Sequence, residues 1–202
     1  SAGYIAAEAL ERDRAVAALA QDAARDMLLY DGEGCLSLHL LFLERGGNVS
    51  PEAFCALLRR AIEAVEVRFP AVPRVEGAAR RALARDLATF RTTVADRDVA
   101  AEASSLVLLD APLEEAPLFA PRAINVRSVG APPDALEYLR RHRISLESLA
   151  VAPGGGAARD LAAAMGAARI APFGSLQTPR LGNLHGGRPR IAEFVRWIVD
   201  ET

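Results

Sequence analysis

Short apolar runs alternate along this chain with longer segments in which apolar residues recur at helical spacing. Each short run is bounded by glycine, proline or charged residues, a pattern typical of strands that are buried on both faces of a sheet. The pair Ser50-Pro51 is typical of a helix N-terminus, with the serine as N-cap and the proline at the first helical position. The alternation predicts an α/β fold with a mostly parallel sheet flanked by helices.

The predicted elements cover almost the whole chain. In order they are helix 5–30, strand 36–43, a helix from 51, helix 75–90, strands 105–110 and 123–129, a helix from 132 through 138, strand 148–152, helix 157–165, strand 168–171, a long loop over 172–189 and helix 191–199. A length of 202 residues, 51% of them hydrophobic, is enough for one sizeable core, so we expect a single domain over 1–202.

Charge and apolar content exclude several classes of partner. The formal net charge of -2 argues against a nucleic-acid partner, which normally requires a basic surface. No apolar run approaches the roughly 20 residues that a membrane-spanning helix needs, and no signal peptide is recognisable. Two cysteines do not suggest a disulfide scaffold, so we expect a cytoplasmic protein. Every basic residue is arginine, and the absence of lysine excludes Schiff-base chemistry and a Walker-type phosphate loop within this chain.

Cys35 is the strongest candidate for chemistry. It follows the run Asp-Gly-Glu-Gly, between a predicted helix and a predicted strand. Glycines allow close backbone approach to a substrate, nearby peptide N–H groups can face an oxyanion, and a thiolate is a strong nucleophile. The alternative is that Cys35 is a small buried apolar residue, as free cysteines usually are. Cys55 lies in a helical apolar stripe, which favours core packing.

The three histidines, His39, His142 and His185, are far apart in the sequence, and none is spaced for a metal site. His39 could form a dyad with Cys35, but four residues of extended chain span about 13 Å. A hydrogen-bonded sheet residue is therefore the favoured interpretation of His39.

Two blocks carry a resemblance to a known family. Tyr-Asp-Gly-Glu-Gly-Cys-Leu-Ser over 30–37 resembles the nucleophile segment of LuxC-type acyl-CoA reductases, which belong to the aldehyde dehydrogenase superfamily. Arg-Ile-Ala-Pro-Phe-Gly-Ser-Leu-Gln-Thr-Pro over 169–179, His-Gly-Gly-Arg-Pro over 185–189 and Val-Arg-Trp over 195–197 resemble the closing block of that family. The two blocks occur in the family's order, which is more specific than either alone. The resemblance implies an aldehyde dehydrogenase-like catalytic domain in which Cys35 accepts the acyl group.

The resemblance also implies a reaction: NADPH-dependent, or NADH-dependent, reduction of a long-chain fatty acyl-CoA to the aldehyde through an acyl-enzyme on Cys35. The cofactor would be bound largely by a domain preceding residue 1, so the chain would be part of a longer enzyme. Candidate partners are a second copy of the chain and acyl-transfer proteins. Aldehyde dehydrogenases place a Glu-x-Phe-Gly-Pro segment against the nicotinamide. Residues 117–121 here read Pro-Leu-Phe-Ala-Pro, which keeps Phe119 as the implied nicotinamide contact and lacks the glutamate.

Two alternatives stay open from the sequence. A CoA-independent aldehyde dehydrogenase would use the same cysteine to oxidise an aldehyde, but it needs a deacylating glutamate that this chain does not display. The isolated chain could instead be an inactive interaction or oligomerisation domain.

Overall fold

The computed structural model describes residues 1–11, 13–91, 104–109, 114–152, 156–180, 182 and 184–188. Within them, the strands and helices alternate. They are β1 (Ala2–Ile5), α1 (Asp13–Leu28), β2 (Leu40–Glu44), α2 (Pro51–Glu66), α3 (Val75–Arg91), β3 (Leu106–Leu109), β4 (Ala123–Val129), α4 (Pro132–Arg141), β5 (Ser148–Val151), α5 (Gly156–Ala164) and β6 (Arg169–Pro172).

The described strands form one sheet in the order β3-β4-β2-β1-β5-β6, and every neighbouring pair is parallel. Helices α1 and α2 cover one face, where Ile5 and Phe54 belong to the larger core. Helices α4 and α5 cover the other face, where Phe42 packs against Tyr138. Both faces are therefore buried, and the predicted mostly parallel α/β sheet flanked by helices is confirmed.

Strand β1 corrects the start of the predicted helix 5–30. Residues Ala2–Ile5 form a central strand paired with β2 and β5, and α1 begins only at Asp13. All four strand residues are buried, so the strand shows none of the apolar–polar alternation that marks a half-buried one. Glycine at position 3 has a packing reason, since a Cβ there would lie 2.7 Å from the Phe173 ring.

Strand β2 is shorter than the predicted strand 36–43. It begins at Leu40, because Ser37 and Leu38 donate their backbone N–H groups to Gly34 O and Asp26 O instead of to a neighbouring strand. Leu36 and Leu38 are nonetheless buried. The apolar run 36–43 therefore predicted correctly that these residues are buried, but only its second half forms the predicted strand.

Locally encoded elements match closely. Ser50 Oγ accepts a hydrogen bond from Ala53 N at the start of α2, with Pro51 in the first turn, as predicted. Strand β4 has the predicted bounds. The predicted helix 191–199 lies outside the described residues.

Candidate active site

Cys35 lies at the edge of the sheet where the parallel strands begin, in the connection from α1 to β2. It is exposed, on the wall of a cleft of about 610 Å³. The cleft is lined by residues from both of the distant sequence blocks: Tyr30, Gly34, Cys35, Leu36, Gln177, Pro179 and His185. The fold therefore brings the cysteine turn and the closing block together around one cavity.

The turn before Cys35 has an unusual backbone. Tyr30, Asp31 and Gly32 follow one another at φ 57°, 56° and 67°, all in the left-handed region. That conformation costs an L-residue roughly 1–2 kcal/mol, so surrounding contacts must hold it. Position 32 also requires glycine for space, because a Cβ there would lie 2.7 Å from Arg122 N.

Arg122 supplies those contacts from the start of β4. Its fully buried guanidinium lies 2.9 Å from an Asp31 carboxylate oxygen and 2.9 Å from Glu66 Oε1, and its backbone N–H donates to Asp31 O at 3.1 Å. Burial works to raise the pKa of Glu66, but hydrogen bonds from Ser104, Ser105 and Arg122 outweigh it and the pKa is lowered. Arg122 thus fastens the turn before the cysteine to the end of α2. No sequence motif indicated this buried arginine.

Asp26, on α1, holds the closing block. Its fully buried carboxylate accepts hydrogen bonds from Gly174 N at 2.7 Å and Leu176 N at 3.0 Å. Burial raises the pKa of Asp26 to about 6, against the lowering effect of these hydrogen bonds. Sequence reasoning missed this residue, although an acid three positions after Ala23 lies on the apolar stripe of α1 and was a usable signal.

Gln177 links the closing block directly to the cysteine turn. Its Nε2 donates to Ser37 Oγ at 2.6 Å, and both side chains are buried. Arg169 holds the same loop from β6 by donating to Ser175 O at 2.6 Å and Leu176 O at 2.9 Å. The part of the cleft wall that Gln177 forms is therefore fixed to the turn that carries the cysteine.

The structure pairs Phe119 with His39 next to the start of β2. Their rings meet edge to face at a centroid distance of 5.8 Å, and Phe119 keeps 52% of its surface exposed. Asn125 fixes this segment, since its side chain accepts from Leu118 N at 2.9 Å and donates to Leu118 O at 3.0 Å. The loop carrying Phe119 is thus clamped to β4, with one side of the ring open.

His39 is engaged away from Cys35. Its Nδ1 lies 3.2 Å from Ala123 O, and burial lowers its pKa. The ring does not line the cleft around Cys35. These contacts agree with a hydrogen-bonded residue beside the sheet and give no support to a Cys35–His39 dyad.

His185 does reach that cleft, from a hairpin that the spacing of the histidines could not reveal. His185 and Arg188 exchange backbone hydrogen bonds, and Gly186 and Gly187 between them have φ +56° and +75°, as a type I′ turn requires. Gly186 N donates to the Glu147 carboxylate at 2.9 Å and 3.1 Å. His185 Nδ1 lies 3.9 Å from Glu147 Oε1.

The remaining candidate residues are placed elsewhere. Cys55 is fully buried in α2 and packs in the larger core, as predicted. Over the described part of the chain, no group of three or more histidine, cysteine, aspartate or glutamate residues is arranged to hold a metal ion. None of the described helices is long and apolar enough to cross a membrane.

Comparison with known proteins places this site in context. The sequence profile of the family described as acyl-CoA reductase (LuxC) matches residues 4–197. No curated protein gives a significant match to the chain.

Several solved structures share the fold. A mutant of 1-pyrroline-5-carboxylate dehydrogenase from Thermus thermophilus is 12% identical with a TM-score of 0.61, over 92% of this chain and 38% of that one. An NAD-dependent benzaldehyde dehydrogenase from Corynebacterium glutamicum is 16% identical with a TM-score of 0.56, over 86% of this chain and 38% of that one. Aldehyde dehydrogenase 21 from Physcomitrella patens is 11% identical with a TM-score of 0.59, over 92% of this chain and 41% of that one. The predicted aldehyde dehydrogenase-like fold is confirmed, and the chain spans about two fifths of the length of these enzymes.

Proposed function

Because the chain belongs to the LuxC family of acyl-CoA reductases, we propose that it is the catalytic domain of a longer oxidoreductase that reduces a long-chain fatty acyl-CoA to the aldehyde with NADPH. The acyl group is carried on Cys35 as a thioester during the reaction.

The observation that carries this proposal is the position of Cys35. It is exposed at the wall of a cleft of about 610 Å³, on a turn held by Arg122 and by the Gln177–Ser37 hydrogen bond. Among the described residues, the backbone N–H groups of Cys35 and Leu36 donate to no acceptor. Free N–H groups beside a nucleophile are suited to stabilising the oxyanion of a tetrahedral intermediate.

The acylation step follows from this geometry. The Cys35 thiol loses its proton, the thiolate attacks the thioester carbonyl and forms a carbon–sulfur bond, and the carbon–sulfur bond to CoA breaks with release of the CoA thiolate, which takes up the proton that Cys35 lost. The thioester on Cys35 and the thioester of acyl-CoA are of similar energy, so their exchange needs no further source of free energy.

Phe119 is the residue that we propose packs against the nicotinamide. An exposed aromatic ring, buttressed by His39 and fixed through Asn125, offers a flat surface for the nicotinamide to pack against. When bound, the cofactor supplies the hydride that reduces the acyl group. One structural neighbour is described as an NAD-dependent benzaldehyde dehydrogenase and another as an indole-3-acetaldehyde dehydrogenase complexed with NAD+.

The cleft supports an extended acyl substrate. Its walls include the apolar surfaces of Tyr30, Leu36 and Pro179, and its volume lies within the range typical of small-molecule sites.

The direct test is to assay the full-length protein with palmitoyl-CoA and NADPH, following NADPH oxidation and aldehyde formation together. In separate assays, acetyl-CoA replaces palmitoyl-CoA and NADH replaces NADPH. A further assay with an aldehyde and NADP+, without CoA, tests the alternative that the enzyme oxidises aldehydes to acids. Palmitaldehyde formation that requires Cys35 supports the proposal. Aldehyde oxidation to the acid without any acyl-CoA reduction would overturn it.

A further inference from the structure

His185 shares the cleft with Cys35, although 150 positions separate them in the chain. Its side chain is 65% exposed, while Glu147 behind it is 23% exposed. Glu147 fixes the hairpin because both of its carboxylate oxygens accept from the single N–H of Gly186. The imidazole is therefore presented at the cleft wall with a partly buried carboxylate beside one of its nitrogens.

The ring nitrogens of His185 have different surroundings. Nδ1 lies 3.9 Å from Glu147 Oε1, which leaves Nε2 for a second partner. A carboxylate in this position orients an imidazole and stabilises the positive charge that the ring acquires when it takes a proton. Cys35, His185 and Glu147 therefore supply the three chemical groups that a nucleophile, a base and a residue orienting the base require.

We propose that His185 is the proton acceptor for the Cys35 thiol, and that Glu147 is its positioning residue. This inference rests on the proposed role of Cys35 as the acylated residue. His185 takes the thiol proton as the thiolate attacks the acyl-CoA carbonyl. When the carbon–sulfur bond to CoA breaks, the same proton passes from the imidazolium to the CoA thiolate, so charge and protons balance across the acylation step.

The test isolates acylation by leaving out the nicotinamide. Wild-type protein and the His185→Gln variant are mixed with palmitoyl-CoA, and release of the CoA thiol is followed together with the mass of the Cys35 peptide at several pH values. A base of this kind contributes about 100-fold or more, so His185→Gln should acylate at least 100 times more slowly near neutral pH. Raising the pH should narrow the difference, because hydroxide then removes the thiol proton without the imidazole.

Glu147 is tested by its own pair of variants. Glu147→Gln should slow acylation about tenfold, in line with the loss of a group that orients a ligand or base, and Glu147→Asp should recover part of the rate. His142→Gln is the matched control, because the His142 ring makes an edge contact with Tyr138 at the end of α4 and does not line the cleft. Its acylation rate should equal that of the wild type.

Alkylation of Cys35 by iodoacetamide needs no acyl-CoA and gives a second readout. Glu147 lies beside the imidazole, Tyr30 and Cys35 line the same cleft, Arg188 pairs with His185 through the backbone, and Cys35 and Glu147 both influence the Ser1 amino group. The pH profile of alkylation is therefore compared between wild type and His185→Gln. Slower alkylation of the variant near neutral pH supports the proposal. Equal alkylation and equal acylation would overturn it while leaving the role of Cys35 intact. A wild-type protein that alkylates but never acylates would instead overturn the proposed function.

Discussion

The Arg122 guanidinium lies 2.9 Å from the Asp31 carboxylate, four residues before the candidate nucleophile. The same guanidinium lies 2.9 Å from Glu66, so one buried cation neutralises two carboxylates from different elements. Because Tyr30 and Asp31 are both in the left-handed region, this contact holds a backbone conformation that the turn would not adopt alone. The candidate nucleophile is thus supported by a residue that lies almost ninety positions further along the chain.

Arg122→Gln should destabilise the protein strongly, because it leaves Asp31 and Glu66 without their common cation. Breaking a buried ion pair from one side costs about 3–5 kcal/mol. Arg141→Gln is the matched control, since the Arg141–Glu137 pair is exposed and such pairs contribute less than about 1 kcal/mol. Urea unfolding monitored by circular dichroism measures both. Similar free energies of unfolding for the two variants would contradict the account.

The protonation of Asp26 should make stability depend on pH. Its pKa is about 6 in the folded protein against 3.8 for an ordinary aspartate, so the folded state binds the proton more tightly than the unfolded state. The free energy of unfolding should therefore fall as the pH rises from about 4 to about 6, by roughly 3 kcal/mol from this group.

Asp26→Asn should remove this part of the pH dependence while weakening the hydrogen bonds to Gly174 N and Leu176 N. Unfolding curves recorded between pH 4 and pH 7 for the wild type and the variant give the difference directly. Glu137→Gln, at an exposed position, is the control and should leave the slope unchanged. Parallel slopes in wild type and Asp26→Asn would show that Asp26 does not titrate in this range.

The elements of the fold, and the residues Asp26 and Arg122, differ in how far the sequence alone could predict them. Helix α2 follows from its own residues, because a serine cap, a proline and an apolar stripe act within one element. Strand β1 does not, because a four-residue strand buried on both faces carries no periodic signal. Asp26 had a local signal, whereas the contact of Arg122 with Asp31 exists only once β4 lies beside the turn.

The candidate site divides in the same way. Cys35 could be identified from its flanking glycines and from the two blocks that resemble a family. The cleft itself could not be derived from spacing, since Gln177 and His185 reach it through the packing of the closing block on α1. The spacing of the histidines along the chain therefore could not predict that His185 shares a cleft with Cys35.

Gly34→Ala should slow acylation of Cys35. A Cβ at position 34 would lie 3.1 Å from Gln177 Oε1 and 3.3 Å from Ser37 Oγ, which strains the hydrogen bond between those side chains. A loss of about 1.4 kcal/mol of positioning corresponds to a tenfold slower rate. Gly77→Ala in α3 is the control, because its nearest neighbour would be the flexible end of Arg81 at 3.6 Å. An unchanged acylation rate in Gly34→Ala would mean that the Gln177–Ser37 link does not position the turn.

Phe119→Leu should weaken use of the nicotinamide without affecting acylation. Loss of an aromatic stacking surface costs about 0.5–1.5 kcal/mol, so the KM for NADPH should rise roughly two- to thirteenfold. Phe69→Leu is the control, because Phe69 is an aromatic residue of similar exposure, at 41%, that follows α2 and has no proposed contact with the cofactor. The measurement compares steady-state NADPH kinetics with the cofactor-free release of the CoA thiol. A defect in acylation alone would contradict the assignment of Phe119.

The central claim is that Cys35 carries the acyl group, and mass spectrometry tests it most directly. The protein is incubated with palmitoyl-CoA in the absence of nicotinamide, digested, and its two cysteine peptides are examined alongside Cys35→Ala and Cys55→Ala variants. We predict a palmitoyl mass increase on the Cys35 peptide with an equal amount of free CoA, retained in Cys55→Ala and lost in Cys35→Ala. An unmodified Cys35 that still reacts with iodoacetamide, or an acyl group found on Cys55 instead, would contradict the account.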